Sequence, residues 1–130
     1  MSLTFPASPS VVSRARALAR ALDPELREDV EIVTSELVSN AIRHADTATV
    51  TVELLSTSEG VHVEVSDQDA AHLPHSVEPE STETSGRGLQ IVACLCSHLH
   101  CTTGPAGKTV CADVTYSAAP APAAEAPVAR

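Results

Sequence analysis

The sequence predicts an α+β fold, a two-layer arrangement in which helices cover one face of a mostly antiparallel sheet. Three features of the 130 residues carry that prediction. From Leu26 to Ala41 the apolar residues recur at helical spacing, giving one continuous stripe. From Thr47 to Ser66 two runs alternate apolar and polar residues on either side of Thr57-Ser58-Glu59-Gly60, the pattern of a hairpin with one buried face. A third alternating run, Val110, Ala112 and Val114, follows the turn residues Gly104-Pro105-Ala106-Gly107. One-sided strands need a covering layer, and the helical stripe supplies it.

Taken in order, residues 2 to 6 read as a short edge strand ended by Pro6. Ser8 or Ser10 is placed to cap a helix whose Val11, Val12, Ala15, Leu18, Ala19 and Leu22 face inward and whose Arg14, Arg16 and Arg20 are solvated. Asp23-Pro24-Glu25 starts a second helix with a capping Asp, Pro at the first helical position and acid in the first turn. That helix runs to His44, a length of about 30 Å, enough to cross a small sheet. Val50, Val52 and Leu54, then Val61, Val63 and Val65, mark the buried sides of the hairpin, and Asp67 ends its second strand. Periodicity is lost between Gln68 and Ser85, where Pro, Ser, Thr and Glu dominate. A loop of this length in a compact domain is more often functional than filler. Residues 88 to 97 read as a helix with Leu89, Ile91, Val92 and Leu95 inward, followed by a strand from about Ser97 to Thr103. The expected domain is 1–116, with an Ala/Pro-rich tail at 117–130 whose composition cannot build a core.

Composition narrows the function. The net charge is −9, and the tail removes one Glu and one Arg, so residues 1–116 also carry −9. An acidic surface repels phosphate backbones, and with Phe5 and Tyr116 the only aromatic residues there is no base-stacking platform. Direct binding of nucleic acid is not expected, and a basic protein segment suits the charge better. No run approaches the ~20 apolar residues of a membrane span, and the N-terminus lacks a signal-peptide pattern, so the expected location is cytoplasmic. Cys94, Cys96, His98, His100 and Cys101 crowd together and raise the question of zinc. On a helix, however, Cys94 and Cys96 point about 200° apart, so small apolar fillers are the competing reading.

The stretch that carries chemistry is Glu36-Leu37-Val38-Ser39-Asn40-Ala41-Ile42-Arg43-His44-Ala45. It sets a carboxylate and a carboxamide four residues apart, on one side of an otherwise buried helix. Together with Asp67 at a strand end, Gly86-Arg87-Gly88-Leu89 opening a helix and Gly107-Lys108-Thr109-Val110 opening the last strand, it resembles the motif set of the GHKL ATPases over residues 2 to 116. Within that superfamily the order of features is most similar to the small RsbW-type anti-sigma factor serine kinases.

The resemblance implies a Bergerat-type two-layer α/β sandwich, with a mixed, mostly antiparallel sheet and three helices on one face. It implies ATP and Mg2+ as cofactors, with the 68–85 loop as the ATP lid. Asn40 would hold the metal through its side-chain oxygen, and Glu36 would be the catalytic general base. Asp67 would accept a hydrogen bond from the adenine amino group, and Thr109 would reach the adenine side through water. Gly86 and Gly88 would free backbone N–H groups for phosphate at a helix start, with Arg87 adding charge. Arg43 matches a basic position directed at phosphate, although pairing with a surface carboxylate is an equal reading. Lys108 reads as solvated, and His44 as a packed helix-end residue. The base-reading box departs from the usual Asp-x-Gly, because residue 69 is Asp. The implied function is a protein serine kinase that phosphorylates an anti-sigma antagonist and sequesters a sigma factor, as a homodimer. The alternative, prompted by Asp69, is a non-catalytic protein-binding regulator with weak or lost nucleotide binding.

Overall fold

The computed structural model describes residues 1–22, 24–71 and 84–116, with the backbone alone for 84–88. Among the described residues, five strands and three helices occur in the order β1 (Ser2–Pro6), α1 (Val11–Ala19), α2 (Pro24–His44), β2 (Thr49–Thr57), β3 (Gly60–Asp67), α3 (Thr84–Leu95), β4 (His98–Gly104) and β5 (Gly107–Thr115). The strands form one sheet in the order β1-β2-β3-β5-β4. All four pairings are antiparallel, so among the described residues the sheet contains no parallel neighbours.

Alternation on the strands selects the covered face. Val50, Val52 and Leu54 on β2, Val61, Val63 and Val65 on β3, and Val110, Ala112 and Val114 on β5 are buried beneath the helices. Burying a Val side chain contributes roughly 1.5 kcal/mol or more, so these rows and the α2 stripe set the register of the whole sheet. Leu26, Val30, Val33, Leu37 and Ala41 are buried as expected, and Thr34 and Val38 widen the stripe. On α1, Val11, Ala15 and Ala19 are buried. Arg14 lies over the Phe5 ring at 5.2 Å, and Arg16 and Arg20 reach Glu31 of α2 at 3.6 and 3.3 Å. These arginines are therefore exposed but not merely solvated. Ser10 occupies the cap position of α1 without a side-chain cap bond; its hydroxyl meets that of Ser8 at 3.2 Å.

Helix α3 differs from expectation in two ways. It begins at Thr84, so the glycines at 86 and 88 lie inside its first turns and not ahead of it. Each Gly disfavours helix by only about 1 kcal/mol, and anchoring by the buried Leu89 and Val92 outweighs that. Ile91 is 42% exposed, because two residues from Leu89 it is turned about 200° away from the core. Asp23, residues 72–83 of the expected lid and the 117–130 tail lie outside the described residues. Among the described residues no helix is long and apolar enough to cross a membrane.

The helix layer is ordered along the sheet. Helix α1 touches β2, α2 lies over β2, β3 and β5, and α3 touches β4, so α1 and α3 flank α2 on opposite sides. The short link from His44 to Thr49 puts the C-terminal end of α2 at the sheet end where β2 starts and β3 stops. Helix α3 ends beside the start of β4, at the other end of the sheet, so α3 begins near Asp67.

Candidate functional site

The last two turns of α2, the end of β3, the start of β5 and the start of α3 converge at one end of the molecule. On α2, Glu31 faces α1 through its two arginine contacts. At about 100° per residue, Glu36, Asn40 and Arg43 fall on the opposite flank, toward α3. Glu36 and Asn40 are half-buried, Arg43 is exposed, and none of the three has a side-chain hydrogen bond or ion pair among the described residues. A half-buried carboxylate and carboxamide without partners among the described residues are suited to a ligand or metal, Asn40 offering a hard oxygen and Glu36 a base.

The floor below them is closed. Asp67 and Lys108 are direct partners in the β3–β5 register and point to the helix side, where they are 2% and 4% exposed. Lys108 Nζ donates to Asp67 Oδ1 at 3.0 Å and to the Asp69 carbonyl at 2.9 Å. The Asp69 N–H donates to the same Asp67 oxygen at 2.8 Å. Lys108 is thus not solvated, contrary to the sequence reading. The strand places it opposite a buried carboxylate, and an ammonium can be held there only as a pair. Thr109 is also corrected. It pairs with Ser66, its hydroxyl 2.8 Å from that of Ser66, on the face away from Asp67, because adjacent residues of a strand point to opposite sides. The core-facing slot beside Asp67 belongs to Lys108.

Asp69 explains its own departure from glycine. Its Oδ2 accepts the Asp46 N–H at 2.6 Å and its Oδ1 accepts the Ala71 N–H at 2.9 Å, so the carboxylate fastens the chain leaving β3 to the link between α2 and β2. Gln68 reinforces that seam, its Oε1 accepting from Ala48 N at 3.0 Å and Thr49 N at 3.2 Å. Gly107 completes the floor. With φ at +147°, it lies where a Cβ would collide with the Asp67 carbonyl oxygen, so only glycine lets β5 pass this close. Sequence reasoning missed the roles of Lys108, Asp69 and Gln68. The available signal was the parity of Lys108 with Val110 and Ala112, which marks it as inward.

Gly86, Arg87 and Gly88 are helical in backbone, and their side chains lie outside the described residues. The run from Cys94 to Cys101 is dispersed. Cys94 is exposed on α3, Cys101 follows Leu99 on the covered side of β4, and His98 and His100 stand on the outer side. All four cysteines are free.

A family model of the histidine kinase-like ATPase domain matches residues 5–114, and the chain belongs to that family. Among solved structures, the chain is similar to the histidine kinase domain of a blue-light activated histidine kinase from Erythrobacter litoralis, with TM-score 0.54 and 21% identity over 86% of this chain and 62% of that one. It is also similar to the RsbU and RsbW domains of Rv1364c from Mycobacterium tuberculosis, with TM-score 0.59 and 19% identity over 92% of this chain and 34% of that one. The chain therefore spans less than two thirds of these structures, and at such identities the likeness shows the fold alone. A comparison with curated proteins found no match.

Proposed function

We propose that this chain is an ATP- and Mg2+-dependent protein serine kinase of the anti-sigma kind, which phosphorylates an anti-sigma antagonist and sequesters a sigma factor. The observation that carries the reading is the pair Glu36 and Asn40, half-buried on the α3 flank of α2 with no side-chain partner among the described residues. Bound MgATP supplies the phosphoryl group and the metal charge that eases its transfer. Asn40 is assigned to the metal and Glu36 to the proton of the attacking serine, with Arg43 and residues 86–88 toward the phosphates. The net charge of −9 favours basic segments on the partner proteins. A homodimer through the α1 end is part of the same proposal.

A second reading, a protein-binding regulator without nucleotide, is favoured by the Asp67–Lys108 pair. The carboxylate assigned to adenine already has two donors, and the base end fits ATP only if Lys108 withdraws. Calorimetric titration of MgATP into the protein separates the readings. Saturable heat supports the kinase, and its absence at millimolar nucleotide supports the regulator. If ATP binds, Glu36→Ala should abolish transfer to the protein serine while sparing affinity. Undiminished transfer would remove Glu36 from the reaction.

A further inference from the structure

The outer face of the sheet, turned away from the helices, carries a cluster that the nucleotide reading does not use. His62 and Glu64 on β3 and Cys111 and Asp113 on β5 occupy alternating outward positions of two neighbouring strands, with His62 opposite Asp113 and Glu64 opposite Cys111. A ligand atom each from His62, Glu64 and Cys111 lies within 4.8 Å of the other two. Asp113 Oδ1 stands 2.5 Å from His62 Nδ1, and Glu64 Oε2 stands 2.8 Å from Nε2. The imidazole is thereby held between Asp113 at Nδ1 and Glu64 at Nε2.

We propose that His62, Glu64 and Cys111 form a binding site for a borderline transition-metal cation of the zinc class, with Asp113 as the positioning residue that orients the imidazole.

The donor set is one nitrogen, one oxygen and one sulfur, the mixture that suits Zn2+ and is unsuited to Mg2+ or Ca2+. Bonds of about 2.0–2.3 Å at tetrahedral angles place ligand atoms about 3.4–3.6 Å apart. The existing spacings of 2.8 Å for N to O and at most 4.8 Å overall bracket that requirement, so side-chain rotation suffices without movement of the sheet. On binding, the cation takes the place of the proton on His62 Nε2 and of the thiol proton of Cys111, and both protons leave to solvent. The Nδ1–H of His62 continues to donate to Asp113, the carboxylate–histidine–metal arrangement that fixes ring orientation in metal sites. Glu64 and the Cys111 thiolate contribute the negative charge. A groove of about 780 Å³, lined in part by His62, Glu64, His98 and Asp113, opens beside the cluster and gives a cation access and a fourth position for water. On β4, His100 stands opposite Cys111 and His98 opposite Asp113 on the same outer face, whereas Cys94 is on α3; the site lies on the opposite face from Asp67, five residues or about 16 Å along β3.

The test is titration of metal-stripped protein with Co2+, then Zn2+, in the absence of nucleotide. One equivalent of Co2+ should produce a thiolate-to-metal absorption band that Zn2+ displaces. His62→Gln should weaken binding on the order of 100-fold, and Asp113→Asn about 10- to 100-fold, the range for residues that orient a ligand. Cys111→Ser should abolish the band, whereas Cys94→Ser, at an exposed cysteine, should leave it intact. If buried Cys111→Ser fails to fold, the two polar variants at partly exposed positions still decide the matter. Absence of a band, a band that survives Cys111→Ser, or unchanged affinity in His62→Gln would overturn the site.

Discussion

Lys108→Ala strips the ammonium from a carboxylate that is 2% exposed and leaves Asp67 with one backbone donor, Asp69 N–H at 2.8 Å. Removing one partner of a buried pair destabilises by about 3–5 kcal/mol, because the remaining charge keeps its desolvation penalty without its counter-charge. Against a total stability of roughly 5–15 kcal/mol, such a loss should be plain in a urea titration read by circular dichroism. Asp67→Asn in the same chain removes the stranded charge while keeping shape and an acceptor for Asp69 N–H. The double variant should therefore be more stable than Lys108→Ala alone, with a coupling on the order of 2 kcal/mol. The variant also reports on the nucleotide. If the freed carboxylate accepts an adenine amino group, MgATP at a hundred times its Kd should restore about 2.7 kcal/mol. A loss below about 1 kcal/mol for Lys108→Ala, or a double variant no better than the single, would refute the claim that this pair is sealed from water.

Other perturbations follow from the same packing. Gly107→Ala should destabilise by more than about 1–3 kcal/mol, since it adds a collision with the Asp67 carbonyl to an unfavourable positive φ, and thermal denaturation will show it. Thr34 is fully buried, with its hydroxyl unpartnered among the described residues, so Thr34→Val should be neutral or stabilising by about 1 kcal/mol in the same assay. His62, bonded by Asp113 first and Glu64 second, has its pKa raised above the usual 6.5. The native state thus holds the proton more tightly than the unfolded chain, so in chelator this contribution is full below about pH 6.5 and fades as pH rises through the native pKa. Urea midpoints across that range should fall with pH in the parent and lose that component in His62→Gln; identical slopes would contradict it.

Much of the architecture was legible in one dimension because the responsible forces are local. The α2 stripe, the Thr57–Gly60 turn and the alternation on β2, β3 and β5 each follow from a residue's position relative to its near neighbours. The turn shows why, as Thr57 Oγ1 accepts from both Glu59 N and Gly60 N at 3.1 Å, all within four residues. The co-facing of Glu36 and Asn40 is of this local kind too. Ile91 and the start of α3 were misread where apolar residues outnumbered inward positions and glycines obscured the helix start.

Fixed by the sequence alone were the element order, the buried stripes and the side of α2 that carries Glu36 and Asn40, since backbone geometry sets these over a few residues. Left to the tertiary structure were the partners of residues distant in the chain. The register of β3 on β5 joins Asp67 to Lys108, 41 residues away, and gathers His62 with Cys111 and Asp113 on the outer face. Whether a lysine is solvated or sealed, and whether a cysteine meets a histidine, depends on which strands become neighbours, and that is decided by burial of the whole sheet.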